Sequence, residues 1–417
     1  TGNYGKPGTG GYPMRGHNNV QGASDFGCLR NMYPGYEKVS DDSARERWAK
    51  GWGVPKEQLS DKVGEGNFLM VQAASENKLK AMYVIGEETA FSDADSHNVH
   101  SAFTDLDFLV VQDIFLSRTA EFADVVLPGA PSVEKEGTFV NTERRIQRFY
   151  EVLPPLGDCR PDWRILTDLA ARMGHDWGYT HPSQIMEECA SISPMFAGVT
   201  YERLAGWKSL QWPVNADGTD TPLLYTEGFP NEDGKANLYP LEWKEPAEAP
   251  DEEYPFSMDN GRMLEHFQAT NQTGRGPRVW YEAPGWFVEV SPELADEYGI
   301  EDGTWVKLTS RRDSIEVRAL VTDRVSGHTL FLPIHQGKPG VNGLTGEHHA
   351  PDVDTPAYKE TAVNLEVLPR EKGAPPLRSN NFRFGHRTPK KGVEVEVKWD
   401  RSDYELPPAQ LSNPRKM

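Results

Sequence analysis

Twenty residues near the start of the chain, GTGGYPMRGHNNVQGASDFG from Gly8 to Gly27, set an arginine two positions before a histidine among glycines and amides. Gly8 and Gly10 let backbone approach a bulky ligand closely. Arg15 offers a planar fork that matches a carboxylate or phosphate with two parallel hydrogen bonds. Asn18, Asn19 and Gln21 add neutral donors and acceptors. The bland alternative is a solvated Gly/Asn turn bearing a surface arginine, because glycine-rich loops taken alone mislead often.

A second constellation is VLPGAPSVEKEGTFVNTERRIQR, residues 126–148, where Glu134, Glu136, Asn141, Glu143, Arg144 and Arg145 crowd one short loop. It suits a polar ligand with phosphate and ring contacts; the alternative is an exposed, salt-bridged hairpin. A third pairs LEHFQATNQTGR, 264–275, with PIHQGKPGVNGLTG, 333–346. His266, His335, His348 and His349 invite a metal reading, but no H-x-x-x-H helix frames them, so no protein-ligated metal is expected. Thr270, Thr273, Asn342 and Thr345 instead read as hydrogen-bonding groups on loops. No nucleophile elbow, phosphate-binding Walker loop or dinucleotide G-x-G-x-x-G after a strand is present.

The elements that must position these residues follow from periodicity. AMYVIG, DFLVVQD and DVVLPG are apolar runs of strand length, separated by the helix-compatible stretches SDADSHNVHSAF, beginning at Ser92, and SRTAEFA. That alternation predicts a doubly wound α/β region with a parallel sheet. Its ligands belong beyond the strand ends, at Gly86-Glu87, Gln112-Asp113 and Pro128-Gly129. PDWRILTDLAARMG predicts a helix burying Trp163, Leu166, Leu169 and Met173, and residues 176–255 read as long loops with short elements. From Phe287 the period changes: FVEV, TWVKLTS, SIEVRALV and HTLFLPI alternate at period two around a short SPELADEYG helix, which predicts a compact β-barrel. Within it Ile315, Val317, Ala319 and Val321 fall on one face, Glu316 and Arg318 on the other. Residues 371–417 read as a polar extension in which VEVEVKW could add an edge strand.

Composition narrows the function class. At 417 residues two or three domains are expected. A formal charge of -19 argues against a nucleic-acid partner. No apolar run reaches the ~20 residues of a membrane span, and no charged-then-apolar leader opens the chain, so a cytoplasmic protein is expected. Cys28, Cys159 and Cys189 are far apart, so this chain alone builds neither a disulfide framework nor a four-thiolate cluster.

Taken together, TGNYGKPGTGGYPMRGHNNVQGASDFGCLRNMYPGY, QDIFLSRTAEFADVVLPGAPSVEKEGTFVNTERRIQ, LQWPV, GFPNEDGKANLYP and FVEVSPELADEYGIEDGTWVKLTSRR resemble, in order, the large subunits of formate dehydrogenases. These belong to the molybdopterin oxidoreductase (DMSO reductase) superfamily, and the likeness runs to about residue 368. It implies a molybdenum or tungsten ion held by two molybdopterin guanine dinucleotides, with α/β domains clasping them and a six-stranded double-psi barrel capping both. It divides the chain into the end of a middle α/β domain (1–15), an α/β pterin-binding domain (16–250), a dinucleotide-binding barrel (251–370) and the extension.

The resemblance also implies a four-iron cluster and a metal-ligating Cys or selenocysteine, which the chain lacks; they are expected in a missing N-terminal half or a partner, with further electron-transfer subunits. Arg15 matches the family arginine that orients formate. His17 stands where the family usually has Gln, adding a titratable group that opens the site to another small oxidisable substrate. Gly86, Glu87, Gln112, Asp113, Glu136, Gly137, Thr138 and Asn141 match cofactor-contacting loops, and His266, Thr270, Thr273, Asn342 and Lys359 fall in stretches that similar proteins lay against the pterins. The expected function is formate oxidation to CO2, inactive in this chain alone. The rival is a non-catalytic pterin-binding or structural subunit. A nitrate reductase is disfavoured because its loop does not normally read RG-NNVQG.

Overall fold

The computed structural model describes residues 2–369 except 277, 278, 280–284, 286, 336–339, 351 and 352. The expected extension with its VEVEVKW strand lies outside the described residues. Two compact units emerge, each from two stretches of chain: residues up to Gly66 with Pro128–Glu242, and Asn67–Leu127 with the residues from Trp243 on.

In the first unit, the antiparallel strands Gly137–Val140, Arg145–Phe149 and Ser209–Gln211 pair in that order, with Val140↔Ile146↔Leu210 in register and all three buried. Helix Asp42–Trp52 starts because Asp41 Oδ1 accepts from the Ser43 (2.9 Å) and Ala44 (3.3 Å) amides, and it stops at Gly53 with φ of 68°. It buries Ala44 and Trp48, one turn apart, and Trp48 stacks on Tyr33. Burial of Trp48, Phe196, Ile146 and Leu204 contributes about 2–3 kcal/mol each.

Two differences from the sequence reading fall here. Residues 176–255 are not all loop: Pro182–Ile192 is a helix capped by His181 Nδ1 and Gln184, burying Met186, Cys189 and Ile192. Helix Asp162–Arg172 turns a different face inward from the one expected. Ile165, Thr167 and Ala170 are buried, whereas Leu169 is 39% and Met173 71% exposed. Large apolar residues dominate a periodicity reading, but the smaller Ala170 and Thr167 permit the close packing.

In the second unit the strands Ala81–Ile85, Phe108–Asp113 and Val125–Pro128 form a sheet in that order, the first two parallel from Ala81↔Phe108 to Ile85↔Gln112. Helices Asn67–Ser75 and Ser96–Asp105 share its core of Val71, Val84, Val99, Phe103, Leu109 and Val111. The second helix is capped by Asp95, not Ser92, and SRTAEFA forms only the 3-10 turn Thr119–Phe122.

The same unit holds a closed six-stranded barrel, in the order Phe287–Val290, Ser314–Val321, Trp305–Thr309, Thr361–Val367, Phe256–Gly261 and Thr329–Pro333. Phe287–Val290 with Ser314–Val321 and Phe256–Gly261 with Thr329–Pro333 are parallel; the other pairings are antiparallel. Ile315, Val317 and Ala319 point into its core as the period demands. Arg318, expected outside, is buried and donates from Nε to Gly303 O at 3.3 Å, beside a smaller cluster of Met263, Phe287 and Leu320. Helix Pro292–Tyr298 starts at Ser291, whose Oγ accepts from the Leu294 amide, and ends at Gly299.

Candidate functional site

In the first unit the opening loop runs into helix Val20–Asp25. Arg15 and His17 are both exposed. Among the described residues Arg15 makes one hydrogen bond, from Nε to Gln21 Oε1 at 3.1 Å. Gln21 is buried, and its Nε2 donates to Asp25 Oδ1 (2.6 Å) and to Tyr36 Oη (3.1 Å). Asp25 is buried completely. Its Oδ1 also accepts from the Tyr36 hydroxyl (2.7 Å) and its Oδ2 from Trp212 Nε1 (2.6 Å). Burial pushes the Asp25 carboxyl up from its ordinary value, opposed by these three donors and by the Arg15 charge.

Asn19, at φ of 60°, ties this helix to the next candidate stretch by accepting from the Val140 amide at 3.0 Å. Gly22 has to be glycine for the same contact, since a Cβ there would sit 2.0 Å from Asn19 Oδ1. Gly137 and Thr138 open the adjoining strand. Glu136 before them is engaged by Arg148, whose Nε donates to Oε1 at 2.6 Å, with His181 Nε2 at 3.6 Å from Oε2. Asn141 Oδ1 closes the hairpin turn by accepting from the Glu143 (2.9 Å) and Arg145 (3.0 Å) amides. Arg144 donates to the carbonyls of Trp212, Thr221 and Pro222. Much of the charge in this stretch is therefore spent inside the hairpin.

In the second unit Gly86, at φ of 62°, follows the strand Ala81–Ile85 and donates its amide to Gln112 O at 2.8 Å. Gln112 is buried with the Tyr83 hydroxyl on its Oε1, and Asp113 Oδ1 accepts from the Ile114 amide at 2.6 Å. Glu87 is exposed, and its charge acts with burial to push the nearby Asp93 carboxyl up to about 7. Barrel residues close on these strand ends: Tyr358 feels the charges of Asp93, Glu87 and Arg262, and Arg275 Nη2 donates to Leu116 O at 2.9 Å.

The barrel loops bring three of the expected residues together. His266 Nδ1 and Thr273 Oγ1 are 3.1 Å apart, and Thr270 Oγ1 donates to His335 O at 3.0 Å. The His266 and His335 rings stack, 4.9 Å between centroids and 14° between planes. His335 is buried, with Nε2 on Gly285 O at 3.0 Å, and burial beside His266 pushes its imidazole down to about 3. Among the described residues its Nδ1 has no hydrogen-bond partner, and neither does the buried Glu265 Oε2. Asn342 and Lys359 gather elsewhere, around Asn260: Asn260 Nδ2 donates to Asn342 Oδ1 (2.9 Å) while Lys359 Nζ donates to Asn260 O. Asn342 Nδ2 also donates to Ser92 O at 2.7 Å, tying this loop to the end of the short helix Thr89–Ser92. Among the described residues no group of three or more His, Cys, Asp or Glu side chains is arranged to hold a metal ion, and no helix is long and apolar enough to cross a membrane.

Asp25, Tyr36 and Trp212 are absent from the sequence-based site. Gln21 and Asp25 stand four apart on one helix face, which a sequence reading can find; Trp212 lies 187 residues from Asp25. His335 is visible by type, but its stack and unspent nitrogen are not.

Residues 1–172 match the family described as "Molybdopterin oxidoreductase" and residues 256–362 the "Molydopterin dinucleotide binding domain". The chain belongs to the molybdopterin oxidoreductase family.

Among curated proteins it is 55% identical over 98% of its length to "Probable oxidoreductase YjgC" of Bacillus subtilis, and 47% identical over 99% to a "Putative formate dehydrogenase" of Staphylococcus aureus. It spans 41% and 42% of those relatives, about two fifths of their length. Among solved structures, acetylene hydratase from Pelobacter acetylenicus matches 79% of the chain and half of its own at a TM-score of 0.62; at 16% identity that likeness speaks for the fold alone.

Proposed function

We propose that this chain is the pterin-binding, substrate-orienting part of a formate dehydrogenase-like oxidoreductase that removes two electrons and a proton from formate and releases CO2. The observation that carries the reading is Arg15, an exposed guanidinium whose Nε is anchored on a buried amide. Held by that edge, it presents Nη1–H and Nη2–H to a planar anion as a matched pair, and formate is the smallest carboxylate that fits. The formate dehydrogenase name carried by relatives at 47% identity supports this substrate.

The cofactor we assign is a bis-molybdopterin guanine dinucleotide with molybdenum or tungsten, which when bound supplies the two-electron acceptor. The fit rests on His335 Nδ1 and Glu265 Oε2, buried acceptors with no hydrogen-bond partner among the described residues, which the ring N–H and amino donors of a pterin or guanine would satisfy. In the second unit Gly86, Glu87, Gln112, Asp113, His266, Thr270, Thr273, Asn342 and Lys359 would hold it. In the first, Glu136, Gly137, Thr138 and Asn141 would do so, while Arg15 and His17 face the substrate. The iron–sulfur cluster, the Cys or selenocysteine ligand and the electron-transfer partners are assigned to polypeptide beyond this chain, which alone would be inactive.

The test is to purify the native protein from its source with everything bound, then measure molybdenum, tungsten, released guanine nucleotide and formate-dependent dye reduction. The reading expects metal and nucleotide in near-stoichiometric amounts together with formate oxidation. A stable protein free of both overturns it in favour of a structural subunit, and a loaded protein inert to formate overturns the substrate.

A further inference from the structure

We propose that Gln21, oriented by Asp25 and Tyr36, is the positioning residue that fixes the plane of the Arg15 guanidinium. The inference rests on the formate reading for its substrate but on hydrogen-bond geometry for its substance. A glutamine amide can flip end for end, and only one of its faces accepts. Here the donor end meets two acceptors, Asp25 Oδ1 at 2.6 Å and Tyr36 Oη at 3.1 Å, so Oε1 must face Arg15 Nε. Asp25 holds its own orientation through the Tyr36 hydroxyl at 2.7 Å and Trp212 Nε1 at 2.6 Å, and it is completely buried.

The relay thus runs from a rigid aromatic frame, through a carboxylate that only accepts, through an amide with one permitted orientation, to the exposed arginine. Cutting the entropy of a long cationic side chain before the anion arrives lowers the cost of binding and of alignment. The charged and titratable groups facing Gln21 and Asp25 are Arg15, Tyr36 and Arg144, the last close enough to feel the Asp25 charge.

The experiment uses the complete enzyme containing this chain, native and as Gln21→Leu and Gln21→Glu. Three things are read: KM and kcat for formate, affinity for nitrate as an inert planar anion, and the rate of phenylglyoxal labelling at Arg15 by peptide mapping. In Gln21→Leu the formate KM and the nitrate dissociation constant rise about tenfold, kcat falls less, and Arg15 is labelled several-fold faster. Gln21→Glu keeps an acceptor for Arg15 but loses the donor to Asp25. Its KM and nitrate defects are therefore large at pH 8 and shrink as pH falls, because the introduced carboxyl regains a proton to donate. A residue that only supports the fold gives no such pH-reversible recovery.

Native-like constants and labelling in a folded Gln21→Leu overturn the proposal, as does a Gln21→Glu defect that is independent of pH. If the native enzyme ignores formate while Arg15 labelling still accelerates in Gln21→Leu, the substrate reading falls and the relay stands.

Discussion

Asp25 in the first unit and His335 in the second are buried to nearly the same degree but spend their hydrogen-bonding capacity differently. Both Asp25 oxygens are engaged, by Gln21, Tyr36 and Trp212, all donors within the chain. His335 uses Nε2 on Gly285 O and, among the described residues, leaves Nδ1 without a partner. A satisfied buried carboxylate rigidifies what it touches, and here it touches the residue that holds Arg15. A buried nitrogen left without a partner costs about 1–3 kcal/mol. The contrast separates two ways a buried polar group is held: one with its hydrogen-bonding capacity spent inside the chain, the other with capacity left over among the described residues.

The largest effect that would break the comparison is Asp25→Ala. Three donors lose their buried acceptor, so unfolding of the complete protein in denaturant should cost about 3–4 kcal/mol less than for the native form. A loss under about 1 kcal/mol would mean the network is slack. His335→Phe should change stability by less than about 1 kcal/mol when pterin is absent, because loss of the Nε2–Gly285 O hydrogen bond offsets removal of the unpartnered Nδ1, while pterin dinucleotide retention through gel filtration drops several-fold.

Two carboxyl and imidazole shifts sharpen the contrast through pH. His335 stays neutral in the fold down to about 3, whereas unfolded histidine takes up a proton below 6.5; stability is lost as pH falls through that window. Asp93 keeps its proton in the fold up to about 7 but releases it near 3.8 when unfolded, so its contribution to stability falls as pH rises between those values. His335→Phe should flatten the acid-side loss and Asp93→Asn the rise-side loss, each by about 1–2 kcal/mol over its window in denaturant titrations at stepped pH. If either variant keeps the native slope, that group does not titrate as assigned. The smallest effect is expected of Lys78→Ala at the exposed Lys78–Glu76 pair, about 0.3 kcal/mol or less and vanishing with salt.

The barrel and the parallel sheet were legible because strand periodicity is local: Ile315, Val317 and Ala319 alternate inward as read. Arg318 was misjudged because its side of the strand meets a second apolar cluster that no short window reveals. Helix Pro182–Ile192 hid among prolines and turns, although His181, Pro182 and Gln184 carry its start signal. The two units are discontinuous in sequence, which linear patterning does not express. At the candidate site Arg15 was legible by residue type and glycine context. Its support was not, because Tyr36 and Trp212 reach Asp25 from 11 and 187 residues away.

We propose Arg15 as the residue that orients formate in a pterin-loaded oxidoreductase. The most direct test is kcat/KM for formate in the complete enzyme carrying Arg15→Lys, with metal and pterin content measured on the same sample. A lysine keeps the charge but loses the fork, so the account predicts a fall of about 100-fold or more at unchanged cofactor content. Formate turnover within a few-fold of native, at full cofactor loading, would contradict it.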